Sequence, residues 1–433
     1  MRAPARQRCR TACGADLVVV DRPDAPFAEV RWQVPLVRRD HADAAVALVA
    51  GRALLLGPLD GDAAAAQQRV LEEGGVWSTT PAVDRVTLSA TVPAERLPWL
   101  LGELRDRLES PAPRPEALQD ALATERTRLA AAVAHRELGL HRLLARHRWG
   151  PEHPYAHAVL EPADLDAVDP AAVLDLLTTR VHPAGSTLLV LGPLGSLGGL
   201  DALELLAAPL GGAVGPGGPS DRDPRAPALP ADPGPRGVPP QRLPVAPHEP
   251  TASLRLWAPA PPRSHPEHLP LHLAGMALGG YFGSRLTQEL RERRGDVYGV
   301  TTGFEVLASG TTWALSLECP ADRIGAVRET VHAALAALGD PGADEQELER
   351  AAAYALQGAA VGLASPAALA SAGSTVLFAG DDLDLWERQA AQAATTTPDQ
   401  VAEVARSWWR SDALVEVVAD PRDDAGVPAP PQD

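Results

Sequence analysis

Arg291 and Tyr298 stand seven residues apart in the run Gly283-Ser284-Arg285-Leu286-Thr287-Gln288-Glu289-Leu290-Arg291-Glu292-Arg293-Arg294-Gly295-Asp296-Val297-Tyr298. A guanidinium presents its N–H donors in a fixed planar fork and can grip peptide carbonyls. A phenol can donate one hydrogen bond to an oxyanion as charge develops on it. Together they could hold a peptide and stabilise its tetrahedral intermediate, provided that they meet in space. The plainer alternative is a solvated charge among Arg285, Glu289, Glu292, Arg293 and Arg294, next to an aromatic that packs on a strand.

The flanking residues bear on whether the two can meet. Leu286 and Leu290, at i and i+4, give the segment an apolar helical stripe. Gly295 is placed to end that helix in the left-handed conformation. An extended stretch over 297–306 follows, then a turn at Ser309-Gly310 and a returning strand over 311–319. Arg291 then falls in the last turn of a helix and Tyr298 at the head of the adjacent strand, so their side chains can converge.

Bulk composition narrows the function classes. The chain has 433 residues, enough for two ordinary domains, and a formal charge of −17. That charge disfavours nucleic acid, because phosphate attraction needs a basic surface. All 39 basic residues are arginine and isoleucine occurs once, at Ile324, a bias of a G+C-rich coding sequence rather than of function. No run approaches the ~20 apolar residues of a membrane span. No apolar stretch of signal-peptide type follows the arginine-rich start. Three cysteines make no disulfide framework, and Cys9 and Cys13 have no second pair to complete a metal site. A reducing cytoplasm is the expected compartment.

The chain repeats itself. Pro93-Ala94-Glu95-Arg96-Leu97 recurs as Pro320-Ala321-Asp322-Arg323-Ile324, 227 residues later. Alternating strands precede both: Val86, Leu88, Ala90 and Val92 in the first copy, Trp313, Leu315, Leu317 and Cys319 in the second. Two helical segments follow each, about 94–109 and 115–134, then 321–338 and 343–363. A closing strand ends each copy, at 188–191 and 414–418. Constant offset and shared order signal two homologous domains. Residues 211–250 hold 12 prolines and 7 glycines and form a semi-extended linker. The expected organisation is therefore 1–210, a linker over 211–250, 251–420, and a disordered tail over 421–433. The fold class is α+β, each domain a mainly antiparallel sheet covered by helices.

Leu278-Gly279-Gly280, Ser284-Arg285-Leu286, Arg291 and Tyr298 together resemble the substrate-clamping segment of the pitrilysin/insulinase family of zinc peptidases, the inverzincins. Leu71-Glu72-Glu73-Gly74-Gly75 and His153-Pro154-Tyr155 are similar to further stretches of that family, and the likeness spans most of the chain. The resemblance implies an H-x-x-E-H zinc helix near the start, with a third, glutamate ligand further on. Here the histidine positions fall on Leu48 and Arg52, the general-base position on Gly51 and the third ligand near Ala132. H-x-x-E-H occurs nowhere in the chain. Leucine, glycine and alanine cannot ligate zinc, and arginine repels it. His153 and His157, and the triplet His135, His141 and His147, do not share a helical face suited to a metal and are expected at the surface.

The resemblance thus implies a zinc-less subunit of a bacterial two-chain peptidase. No cofactor is expected in this chain. Zinc would reside in a pitrilysin-like partner, forming a heterodimer, and Arg291 and Tyr298 would act in trans on a peptide substrate. The alternative is a non-catalytic scaffold or peptide-binding protein of the same fold, for which the arginine–tyrosine pair would be superfluous.

Overall fold

The computed structural model describes residues 4–56, 63–111, 113–133, 136–157, 159–217, 230–244 and 249–422. Twelve strands are formed among them: β1 (Arg6–Thr11), β2 (Asp16–Asp21), β3 (Ala28–Pro35), β4 (Val76–Pro81), β5 (Arg85–Val92), β6 (Thr187–Gly192), β7 (Ala213–Pro216), β8 (Gln241–Leu243), β9 (Thr251–Ala260), β10 (Val300–Leu307), β11 (Gly310–Pro320) and β12 (Val415–Ala419). They build two sheets, ordered β4-β5-β3-β6-β2-β1-β7 and β10-β11-β9-β12-β8. The first five strands of one sheet and the five of the other follow the same order. In each, a single parallel pair, β2 with β6 and β8 with β12, interrupts an otherwise antiparallel ladder. The fold is α+β and twofold repeated, as the constant offset predicts.

The alternation in β5 translates directly into burial. Val86, Leu88, Ala90 and Val92 face the first core, and Trp313, Leu315, Leu317 and Cys319 of β11 face the second. Helices cover those faces. In the first half these are His41–Ala53, Leu97–Glu109, Pro115–Val133 and Pro170–Arg180; in the second, His268–Gly275, Ile324–Gly339, Glu345–Gly362 and Pro398–Trp408.

The opposite faces are covered by exchange. Helix Pro366–Phe378 leaves its own half and packs Leu369, Ala370 and Leu377 on Val18, Val20, Leu189 and Leu191 of the first sheet. Gln33 and Arg31 of β3 donate to the Ser374 and Ser371 hydroxyls of that helix, at 2.8 and 3.2 Å. Helix Arg136–Trp149 does the converse, setting Leu140, Leu144 and Trp149 against Trp257, Val415 and Val417 of the second sheet. Sequence periodicity carries no record of this crossing, because a helix face looks the same whichever sheet it covers.

The proline- and glycine-rich stretch needs one correction. Its ends are not merely connecting chain: β7 hydrogen-bonds to β1 at the edge of the first sheet, and β8 to β12 at the edge of the second. Edge positions tolerate residues that central strands do not, since one side of the ladder needs no partner. Residues 218–229 and 245–248 of the linker, and 423–433 of the tail, lie outside the described residues.

Candidate functional site

The arginine–tyrosine pair is held by a helix rooted in the second core. Leu286 and Leu290 are fully buried there. Ser284, also buried, donates its hydroxyl to Thr287 Oγ1 at 3.0 Å. Arg285 is pinned across to the next helix pair, with both Nε and Nη2 2.7 Å from Glu347 and Nη2 2.7 Å from the Gly342 carbonyl. Gly279 explains part of the preceding glycine pair. A Cβ there would stand 2.8 Å from Val300 Cγ1, so only glycine lets this turn lie against β10.

Two features differ from the sequence expectation. Thr287–Arg293 is wound as a π-helix, as is Met276–Gly280. Its Arg294 N–H donates to the Glu289 carbonyl at 3.2 Å, a five-residue step rather than four. Such insertions concentrate at functional sites because they re-aim side chains. Strand β10 begins at Val300, so Tyr298 precedes the strand instead of heading it. Gly295 does adopt the left-handed conformation, at φ 65°. The Asp296 N–H closes that turn on the Leu290 carbonyl at 2.7 Å.

This turn brings the pair together. Arg291 Cζ lies 5.6 Å from the Tyr298 ring centroid and 5.9 Å from that of Phe282. The guanidinium is thus flanked by two aromatic rings, each an attractive surface for a cation. Both rings are open to solvent, Tyr298 at 92% and Phe282 at 61%. Neighbouring arginines are firmly paired: Arg293 with Glu289 at 2.9 Å, Arg294 with Asp296 at 2.6 Å and Arg285 with Glu347. Among the described residues Arg291 has one long polar contact, Nε to Glu292 Oε1 at 3.5 Å. The segment therefore singles out one arginine whose donors are weakly committed and one phenol whose hydroxyl is open. Phe282 had no signature of its own in the sequence, because a lone aromatic after Gly279-Gly280-Tyr281 marks no chemistry.

The positions where zinc ligands would sit are filled otherwise. Leu48 is buried in the first core. A Cβ on Gly51 would lie 2.9 Å from both Pro81 Cγ and Val86 Cγ2, so no glutamate base fits there without displacing β4 or β5. Arg52 Nε stands 2.9 Å from Glu125 Oε1, an ion pair without hydrogen-bond alignment, while Nη1 donates to the Thr79 carbonyl at 2.8 Å. Glu125, buried, also takes Arg128 Nε at 2.8 Å. It is Glu125 that faces Arg52 across the two helices; Ala132 lies seven residues further along, about 10 Å down the axis. A guanidinium thus occupies the place of a cation, and these residues do not fit zinc. Among the described residues no group of three His, Cys, Asp or Glu side chains is placed to hold a metal.

His141, His147, His153 and His157, expected at the surface, are instead half-buried. His153 stacks on Trp149 at 5.0 Å and bonds the Ala231 carbonyl at 3.0 Å; His141 meets Trp257 edge-on at 4.9 Å. Burial lowers the pKa of His147, His153 and His157. His135 lies outside the described residues. Cys9, Cys13 and Cys319 are free, and burial, with Glu204 and Asp16 nearby, pushes the Cys9 thiol up to about 11.

Residues 196–354, which include the whole clamp, match the family model described as the peptidase M16 inactive domain. Over that segment the chain resembles the pitrilysin (M16) family. Solved structures extend the likeness of fold to nearly the whole chain. A peptidase M16 inactive domain from Pseudomonas fluorescens superposes with a TM-score of 0.78 at 22% identity, covering 98% of this chain and 100% of the other. A protease from Helicobacter pylori gives 0.77 at 15% identity, over 97% and 100%. The periplasmic protease PqqL from Escherichia coli gives 0.72 at 14% identity; 97% of this chain aligns with 46% of that one. No curated protein matches the sequence. The inactive-domain match supports a catalytically incomplete, M16-like protein.

Proposed function

We propose that this chain is the zinc-less subunit of a two-chain pitrilysin-type peptidase, lending Arg291 and Tyr298 in trans to a partner that carries H-x-x-E-H and zinc. One observation carries the reading: Arg291 and Tyr298 converge at a solvent-open position, with the Arg291 donors held, among the described residues, by a single 3.5 Å polar contact. The flanking rings attract the guanidinium and favour its place beside Tyr298, so less side-chain freedom is lost when it binds peptide carbonyls. The Tyr298 hydroxyl can then donate to the oxyanion formed when water adds to the scissile carbonyl. The peptide would engage a sheet edge through main-chain hydrogen bonds, which tolerate varied sequence. A reducing, cytoplasmic setting belongs to the same proposal and rests on the three free thiols.

The test is reconstitution with a zinc-bearing subunit of matching type, followed by steady-state peptide hydrolysis and size-exclusion chromatography. The chain alone should hydrolyse no peptide and hold no stoichiometric zinc, whereas the pair should hydrolyse peptide and hold zinc. If Arg291→Ala and Tyr298→Phe assemble normally and cleave at the wild-type rate, the scaffold reading replaces this one.

A further inference from the structure

A second site lies away from the clamp, where the linker crosses the second half. It is a cavity of about 520 Å³, within the range of small-molecule sites. Pro235, Pro259, Leu307 and Trp408 contribute to a mostly apolar wall, and Arg263 and Asp381 also line it.

The charges on that wall do not cancel. Asp232 is committed: both carboxylate oxygens take Arg148, at 2.9 and 2.6 Å. Asp381 Oδ1 takes Arg388 Nη2 at 2.5 Å, while its buried Oδ2 has no hydrogen-bond partner among the described residues. Arg263, half-buried, makes no hydrogen bond or ion pair within 4.0 Å among the described residues, Asp381 included. Burial accordingly lowers its pKa, and the more distant Asp381 opposes that only in part. An unpaired guanidinium at an apolar wall can donate charge-assisted hydrogen bonds to an anion seated there. The wall's geometry therefore asks for a ligand with one acidic group and an apolar body.

We propose that this cavity binds a small amphiphilic carboxylate, its carboxylate on the Arg263 guanidinium and its apolar part against Leu307, Pro259 and Trp408. Two sources share that chemistry: the free C-terminus of a short apolar peptide, and an organic acid with an aryl or alkyl body. The site is independent of the zinc-bearing partner, so it can be tested on the full chain alone.

Isothermal titration with N-acetyl-Leu-Leu as free acid, the same dipeptide as C-terminal amide, and 4-phenylbutyrate separates the cases. The free acid or phenylbutyrate, or both, should bind, and whichever binds names the source. The amide should bind about 10–100-fold more weakly than the acid, the loss expected for one charged hydrogen-bonding partner. Arg263→Gln should lose acid binding by a similar factor with an unchanged Tm, and Arg263→Lys should retain part of it. Where the dipeptide acid binds, equal binding of its amide overturns the proposal, as does undiminished acid binding by a folded Arg263→Gln chain, or no binding of either acid. The acid–amide comparison needs no variant, so it decides even if Arg263→Gln does not fold.

Discussion

Tyr298→Phe removes a single hydroxyl from an open ring. In the reconstituted pair it should lower kcat by about 10²–10³, the usual effect of losing one oxyanion donor, with assembly intact. Arg291→Ala should raise KM as well as lower kcat, because its fork would grip substrate before and during the reaction. The control must be chosen from the structure. Arg285 is close in sequence, but its bonds to Glu347 and Gly342 tie two helices together, so its loss perturbs the fold. Arg293, paired among the described residues only with Glu289 on the surface, is the clean comparison, and Arg293→Ala should leave both constants unchanged. A separate residue sets an acid limit on stability. His268 is buried, with Nδ1 2.8 Å from the Pro261 carbonyl, and burial lowers its pKa from 6.5 to about 4. The unfolded chain therefore binds its proton first. The stabilising effect is fully present above pH 6.5 and is lost as pH falls towards 4, by at most about 3 kcal/mol. Urea titrations across that window should show a shallower pH slope in His268→Gln than in wild type; equal slopes would remove His268 from the account.

At the scale of elements, the turn through Gly295 joins packing to function. Gly295→Ala forces a Cβ into the left-handed region and should cost about 1–2 kcal/mol. It should also displace Tyr298 from Arg291, so kcat in the reconstituted pair should fall more than stability alone explains. The first-half helix His41–Ala53 invites the opposite experiment. Installing Leu48→His, Gly51→Glu and Arg52→His together should not restore a zinc site. Any side chain added at position 51 would collide with Pro81 and Val86, and the buried Glu125 would lose Arg52. Elemental analysis of the triple variant should find no stoichiometric zinc and calorimetry a lowered Tm. Much of this scale was legible beforehand. Leu286, Leu290 and Gly295 announced a helix, its anchor and its stop, and they placed Arg291 near Tyr298. The π-winding was not, because a five-residue hydrogen-bond step leaves no apolar period distinct from an ordinary helix. The Arg52–Glu125 pair was hidden for another reason. It joins positions far apart in the chain, and neither residue is unusual until the two helices are side by side.

For the whole molecule, the repeat was readable because burial is local: β5 and β11 alternate, and alternation survives in sequence. The exchange of helices between halves was not, since Leu369 and Leu377 would look equally apolar against either sheet. That exchange fixes the outcome of limited proteolysis. First cuts should fall within 211–250, and the two fragments should co-elute from size-exclusion chromatography under native conditions, separating only in denaturant. Leu377→Ala should cost about 2–5 kcal/mol and weaken the fragment complex, since its side chain is buried at the crossing. Fragments that part on the native column, or first cuts within 84–140, would contradict this arrangement.

The same crossing makes synthesis on the ribosome asymmetric. When β12 is made, helix Arg136–Trp149 already exists and can cover the second sheet at once. The first sheet has no such cover waiting. Its last core strand, β6, ends at Gly192, but the helix that covers its outer face ends at Phe378, so 378 − 192 = 186 further residues must be translated. At roughly 5–20 residues per second the nascent chain displays Val18, Val20, Leu189 and Leu191 for about 10–40 s. A chaperone that guards hydrophobic strands should therefore associate with the N-terminal half during translation and leave only after residue 378 has emerged.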